Sequence, residues 1–287
     1  MVTGGEAFVG LCLLAAVAYG ISDFAGGLAA RRSDTLTTLL WGNGVGIAVT
    51  AGLLPLVPGV LTGRSVFCAI AAGAAGLVGL GLMYRLMASE PLNLVSPMTA
   101  VLAAVIPLAF GILTGEAPHL LTWFGMGGGL VAVVLFTYSP ADAEQQRLRM
   151  RVIGLAFLSG VGFGAYFILQ ARAGGDAGLW TLLLSRVVTL GLVVLLVVGR
   201  SRRPRASVLV GRQAVVVALV AGALDAAGDV LFVVASRHGF LSLASVIVAL
   251  YPAVTVLLAV AVLRERAGRI ARFGLALTAV SLALIAQ

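Results

Sequence analysis

Apolar residues follow one another along this chain in long unbroken runs, separated by short polar segments. A helix rises about 1.5 Å per residue, so about 20 apolar residues cross the hydrocarbon of a bilayer. Runs such as TLLLSRVVTLGLVVLLVV do not alternate between polar and apolar positions, which argues against the strands of a membrane β-barrel. The pattern predicts ten transmembrane helices, over residues 7–29, 37–57, 66–87, 92–114, 120–138, 152–170, 179–198, 214–236, 240–263 and 270–286.

Composition supports an all-α membrane protein. Hydrophobic residues make up 61% of the chain and charged residues 10%, and the mean hydropathy is +1.11. Soluble domains carry about a quarter of their residues as charged side chains, so a soluble surface is excluded. The first run lacks a basic leading segment and a cleavage site, and it is interpreted as a retained span rather than a signal peptide.

The net charge of +8 comes from arginines at the ends of the apolar runs, since all 19 basic residues are arginines. Of these, 15 lie in the loops that join odd-numbered predicted helices to the next helix or, for Arg85 and Arg272, in the helix turn next to such a loop. This pattern indicates topology rather than nucleic-acid binding. The positive-inside rule predicts an inner-membrane protein with these loops in the cytoplasm and both termini outside.

An internal repeat divides the chain. A shift of 149 residues places Glu116 on Glu265 and the Phe-Gly pair at 124–125 on the pair at 273–274. The predicted units are a first five-helix repeat at 1–140, a linker at 141–151 and a second five-helix repeat at 152–287. Because five is odd, the second unit enters the membrane in the opposite sense, and the repeat is predicted to be inverted.

Several segments agree in order and spacing with a known family. They are the repeated glutamate segments, the stretch from Pro252 to Glu265, the segments YGISDF and VGFGAYF, and the arginine-bearing WTLLLSR. In these segments the sequence resembles the drug/metabolite transporter superfamily, in its ten-helix EamA-like branch. The resemblance implies a carrier of amino acids, other metabolites, nucleotide sugars or cationic drugs.

Four ionisable residues stand out well inside the predicted spans, away from their ends, namely Asp23, Arg186, Asp225 and Asp229. A charge at the bilayer centre costs at least about 2.5 kcal/mol, so each is a candidate for substrate binding or coupling. Asp225 and Asp229 are four residues apart and share one helix face, where one of them is a candidate for holding a proton. Arg186 and Asp229 lie at similar depth on adjacent antiparallel helices and are predicted to pair. In the alternative interpretation, the pair only locks helices seven and eight together.

Asp225 and Asp23 have no obvious basic partner in the sequence. For Asp225, a titrating or substrate-facing role stands beside simple hydrogen bonding to a neighbouring helix. For Asp23, the flanking Ser22, Gly20 and Gly26 also suit a packing and hydrogen-bonding position.

Tyr19, Tyr166 and Tyr251 are predicted to line a cavity, although most membrane aromatics simply pack. Pro252 frees a backbone carbonyl about one turn earlier, and such breaks are tolerated where they line a cavity. Glu116 and Glu265 precede the last helix of each half, where a carboxylate complements the positive end of a helix dipole, and this role is structural.

The predicted function is a secondary carrier, and more specifically an exporter, of small metabolites such as amino acids, working by alternating access with or without proton coupling. A sugar or nucleotide-sugar exchanger without proton coupling is the alternative within transport. A membrane-embedded enzyme or sensor is disfavoured, since no nucleophile or metal spacing and no P-loop occurs in the sequence. The expected partners are a small-molecule substrate and the lipid bilayer, with no nucleic acid and no cofactor, in a monomer or homodimer.

Overall fold

The fold was analysed in a computed structural model, which describes residues 4–137, 146–201 and 211–264, with positions 270, 273–274, 276–277, 280–281 and 284. All regular elements in these described residues are helical. They are α1 Gly4–Arg32, α2 Thr35–Leu53, α3 Gly63–Met87, α4 Leu92–Leu113, α5 Leu120–Thr137, α6 Gln146–Arg172, α7 Trp180–Ser201, α8 Arg212–Ala235, α9 Leu241–Val248 and α10 Pro252–Leu263. Two short 3-10 turns, Leu54–Leu56 and Gly175–Ala177, lie in loops.

Eight segments of the described chain are long and apolar enough to cross a membrane, with α9 and α10 counted together as Leu241–Leu263. The helix α5 is shorter by this measure, with an apolar part over Leu120–Val131. The tenth predicted helix, 270–286, lies mostly outside the described residues. The all-helical, multi-span character is therefore confirmed, whereas ten helices in two inverted repeats stay a prediction.

Side-chain caps at the loops fix where two of the spans begin. Asp34 precedes α2, and its carboxylate accepts a hydrogen bond from the backbone N–H of Thr37 at 3.0 Å. Thr62 and Ser65 form a reciprocal capping box at the start of α3. Both caps satisfy backbone donors that the first turn of a helix leaves unpaired.

The apolar run at 240–263 is divided by a break in mid-span. The first helix, α9, ends at Val248, and α10 begins at Pro252, which lacks the N–H that a continuous helix would use. Tyr251 donates its backbone N–H to the Val248 carbonyl at 3.0 Å, as in a tight turn. The helix α4 contains Pro97 and Pro107 but remains continuous, so proline alone does not dictate a break.

The helices around the centre of the molecule pack in a crossed arrangement. The helix α1 packs on α8, α3 packs on α6, and α2 packs on both α7 and α8. Two of these helices approach closely at Gly42 on α2 and Gly222 on α8, where a Cβ added to Gly222 would lie 2.1 Å from the Gly42 carbonyl oxygen. Two backbones in direct contact draw α2 and α8 together beside the central cavity.

Candidate functional site

A cavity of about 640 Å³, counting its opening, lies among the spans next to the break between α9 and α10. All seven residues that the sequence singled out for substrate binding or coupling line it. These are Tyr19, Asp23, Tyr166, Arg186, Asp225, Asp229 and Tyr251. The fold therefore brings to one place residues that come from five separate helical spans.

Arg186 lies between two carboxylates of α8. Its Nη2 donates to Asp225 Oδ2 at 2.8 Å and also to Asp229 Oδ2. The predicted pairing of Arg186 with Asp229 is thus confirmed. The inference that Asp225 lacks a basic partner is wrong, because one guanidinium nitrogen contacts both carboxylates.

The two carboxylates differ in how fully they are hydrogen bonded. Asp229 also accepts from the hydroxyls of Tyr19 at 2.6 Å and Tyr166 at 2.7 Å, so three donors stabilise its charge. Asp225 accepts only from Arg186 among the described residues, and its side chain is 17% exposed against 5% for Asp229. Asp229 is consequently the more fully hydrogen-bonded carboxylate, while Asp225 faces the cavity with free acceptor capacity.

Asp23 reaches the cavity from α1, where it is 6% exposed. Its Oδ2 accepts a hydrogen bond from Ser96 Oγ at 3.2 Å. Within the described part of the chain, the cavity is lined by three carboxylates and one guanidinium, a formal net charge of −2 when all are ionised. In a low dielectric this favours binding of a positive charge.

Aromatic rings form another part of the wall. The Tyr19 ring packs edge-to-face on Phe167 and Tyr251, with ring centroids 6.0 and 6.4 Å apart. The hydroxyl of Tyr251 lies 3.3 Å from Thr99 Oγ1 on α4. These rings give the cavity an apolar surface beside the charged cluster, as sites for small organic solutes have.

Several lining residues were not singled out by the sequence as site residues, namely Asn43, Gly76, Leu80, Ala103, Phe167, Ser185 and Thr189. Helical spacing could have pointed to one of them. Thr189 lies three residues after Arg186, so it shares a helix face with that candidate.

The three residues assigned structural roles have different outcomes. Pro252 is the first residue of α10 and lies at the break. The Glu116 carboxylate accepts hydrogen bonds from the backbone N–H groups of Leu241 and Ser242, both at 2.9 Å. It complements a helix N-terminus as predicted, but its hydrogen-bonded partner is α9 and not α5, the helix that follows it in the chain. Glu265 lies outside the described residues.

Among the described residues, no group of three or more His, Cys, Asp or Glu side chains is arranged to hold a metal ion. The ionic chemistry of the described cavity therefore rests on aspartates, one arginine and hydroxyl groups.

Comparison with known proteins identifies the chain. Residues 150–287 match the EamA-like transporter family. A search of curated proteins gave no match. The chain is also similar in fold to a protein of known crystal structure. The TM-score is 0.66 at 18% sequence identity, and the match covers 95% of this chain and 97% of that chain. In agreement with the resemblance seen in the sequence, this chain is a multi-span membrane transporter whose second half, residues 150–287, belongs to the EamA-like transporter family.

Proposed function

We propose that the protein is a secondary active carrier that exports small metabolites, such as amino acids or related amines, across the inner membrane by alternating access. Protons are the coupling ions, and Asp225 is the group that carries them. The proposal includes ten transmembrane helices in two inverted five-helix repeats. One observation carries the proposal. Asp225 and Asp229 on α8 share Arg186 at the wall of the cavity, but Asp229 accepts more hydrogen bonds than Asp225.

The packing of the helices supports the inverted repeat. If α1, α2 and α3 exchange with α6, α7 and α8, the contact of α1 with α8 becomes the contact of α6 with α3, and both contacts occur. In the same way, the contact of α2 with α8 becomes that of α7 with α3, which also occurs. In carriers with inverted repeats, alternating access usually occurs by rocking of one repeat against the other around a central site.

The charge balance of the cavity favours Asp225 as the exchanging carboxylate. Asp229 accepts three hydrogen bonds, one of them from Arg186. Its carboxylate oxygens are therefore already occupied by donors and are not open to another cation. Asp225 keeps lone pairs free toward the cavity, where a proton and the ammonium group of a solute would compete for them. Competition for one site makes proton entry and solute exit alternate, which is antiport.

The groups that share the surroundings of Asp225 come from six other segments as well as its own helix. They are Tyr19 and Asp23 on α1, Asn43 on α2, Tyr84 on α3, Tyr166 on α6, Arg186 on α7, Asp229 on α8 and Tyr251 at the break. Arg186 is the one cation among them in the described residues, and it is shared with Asp229.

The test is counterflow of labelled amino acids and amines in proteoliposomes at two pH values, together with uptake driven by an imposed pH gradient. Wild-type protein and Glu90→Gln, a carboxylate change in the loop before α4, are expected to show gradient-driven uptake. Asp225→Asn is expected to lose that uptake while solute-for-solute exchange becomes independent of pH.

The other outcomes favour the rivals. Equal exchange at both pH values in wild type, with sugars or nucleotide sugars as the solutes moved, favours an uncoupled exchanger. Gradient-driven uptake that survives in Asp225→Asn would show that Asp225 does not carry the coupling proton. Chemical alteration of the labelled solute would indicate an enzyme.

A further inference from the structure

A second polar cluster lies on the α1 side of the cavity, away from the arginine. It consists of Asp23 on α1, Ser96 on α4 and Thr255 on α10. Ser96 and Thr255 have no exposed surface, and Asp23 is 6% exposed. No ion pair joins Asp23 to a basic side chain of the described residues. A buried carboxylate without a counter-charge is unfavourable, so this position is suited to binding a cation.

The distances within this cluster are long for hydrogen bonds. Ser96 Oγ lies 3.2 Å from Asp23 Oδ2 and 3.5 Å from Thr255 Oγ1. Hydrogen bonds between hydroxyl and carboxylate oxygens usually measure about 2.7 Å, as do the contacts of the tyrosines with Asp229. The three oxygens are thus held apart by the helices that carry them.

The same distances suit oxygen ligands around a small hard cation. Sodium has nearly the same ionic radius as calcium, which takes oxygen ligands at about 2.4 Å. Neighbouring oxygens of an octahedral site then lie about 3.4 Å apart. Thr255 Oγ1 donates to the Gly20 carbonyl oxygen at 3.0 Å, which leaves its lone pairs available. Thr99, one turn after Ser96, adds a further fully buried hydroxyl nearby.

The helix break lies beside this cluster. Thr255 is in the first turn of α10, and its backbone N–H donates to the Tyr251 carbonyl at 3.2 Å. The Tyr251 hydroxyl contacts Thr99 at 3.3 Å. In carriers, interrupted helices provide backbone and side-chain oxygens for coupling ions near the middle of the membrane.

We propose that Asp23, Ser96 and Thr255 form a binding site for a sodium ion. A single carboxylate with neutral hydroxyls matches a monovalent ion, since divalent ions in proteins usually draw more than one carboxylate. With sodium at Asp23 and a proton at Asp225, the described lining of the cavity becomes neutral. The site rests on the proposed carrier function for its role in transport, but the binding of sodium can be measured separately.

The experiment measures the thermal stability of the detergent-purified full chain in NaCl, LiCl, KCl and choline chloride at constant ionic strength. Sodium is expected to raise the melting temperature of wild type in a saturable way, and potassium and choline are not. The Thr255→Val variant keeps the side-chain shape and removes one ligand, so its apparent affinity for sodium is expected to fall at least tenfold. The matched control is Thr189→Val, which removes a hydroxyl elsewhere in the same cavity.

Equilibrium binding of radioactive sodium to wild type, Thr255→Val and Ser96→Ala provides a second measurement if one variant folds poorly. Equal stabilisation by sodium, potassium and choline would overturn the proposal, as would unchanged sodium affinity in a folded Thr255→Val or Ser96→Ala. Absence of sodium binding in wild type, with pH-driven transport intact, would reject the site and leave the carrier function standing. Sodium binding without any transport would support the site and count against the carrier mechanism.

Discussion

The guanidinium of Arg186 fits against α2 because residue 46 of that helix is glycine. A Cβ added to Gly46 would lie 2.4 Å from Nη1 of Arg186 and 3.1 Å from its Cζ. Gly44 is two residues earlier in the same helix, and a Cβ there would meet no atom within 4 Å. Gly46→Ala therefore tests the placement of the guanidinium, and Gly44→Ala is the matched control.

The size of the effect follows from the overlap. Ordinary contact begins at 3.4 Å, so the guanidinium has to retreat by about 1 Å, which separates Nη2 from Asp225, now at 2.8 Å. Loss of a hydrogen bond to a charged group costs about 1.5 to 3 kcal/mol, and overpacking about 1 to 3 kcal/mol. The better helix propensity of alanine offsets about 0.5 to 1 kcal/mol. We expect a net destabilisation of about 1.5 to 5.5 kcal/mol.

The assay is thermal unfolding in detergent with counterflow in proteoliposomes. At about 2 to 4 °C per kcal/mol, Gly46→Ala should lower the melting temperature by roughly 3 to 22 °C relative to Gly44→Ala. Its exchange rate should fall as well, because the charged cluster is displaced.

A double-mutant cycle with Arg186→Lys isolates the cause. Lysine has no Nη1, so the effect of Gly46→Ala should shrink to less than half in that background. Wild-type stability and exchange in Gly46→Ala, or an unchanged effect beside Arg186→Lys, would refute the assigned position of the guanidinium.

Three further predictions concern stability in detergent. Gly178→Ala should lower the melting temperature more than Gly175→Ala, because Gly178 has φ +57 and its Cβ would lie 2.5 Å from a carbonyl oxygen, whereas Gly175 faces open space. Glu116→Gln should destabilise by about 1 kcal/mol relative to Glu90→Gln, since a neutral amide caps α9 less well than a carboxylate, and equal values would contradict the cap. Tyr166→Phe should cost about 1.5 to 3 kcal/mol, more than Tyr251→Phe, because Tyr166 donates to a carboxylate and Tyr251 contacts a neutral hydroxyl, and the reverse order would count against a charged Asp229.

The sequence alone was enough to predict the long apolar spans and seven of the residues that line the cavity. Span length and hydropathy are local properties, so α1 was predicted at 7–29 and found at Gly4–Arg32. Ionisable residues in apolar runs were conspicuous for the same reason, since burying a charge in lipid requires a partner or a function. The pairing of Arg186 with Asp229 followed from their similar depth on adjacent helices.

Only the tertiary structure decided which side chains form hydrogen bonds and ion pairs with one another. The bond from Tyr19 to Asp229 joins residues 210 positions apart, and that from Glu116 to the start of α9 spans 125. Helical periodicity gives the face of a residue but not the helix that this face meets. The sharing of Arg186 by both aspartates and the spacing of hydroxyls around Asp23 depend on how the spans pack, because packing sets distances between side chains that are remote in sequence.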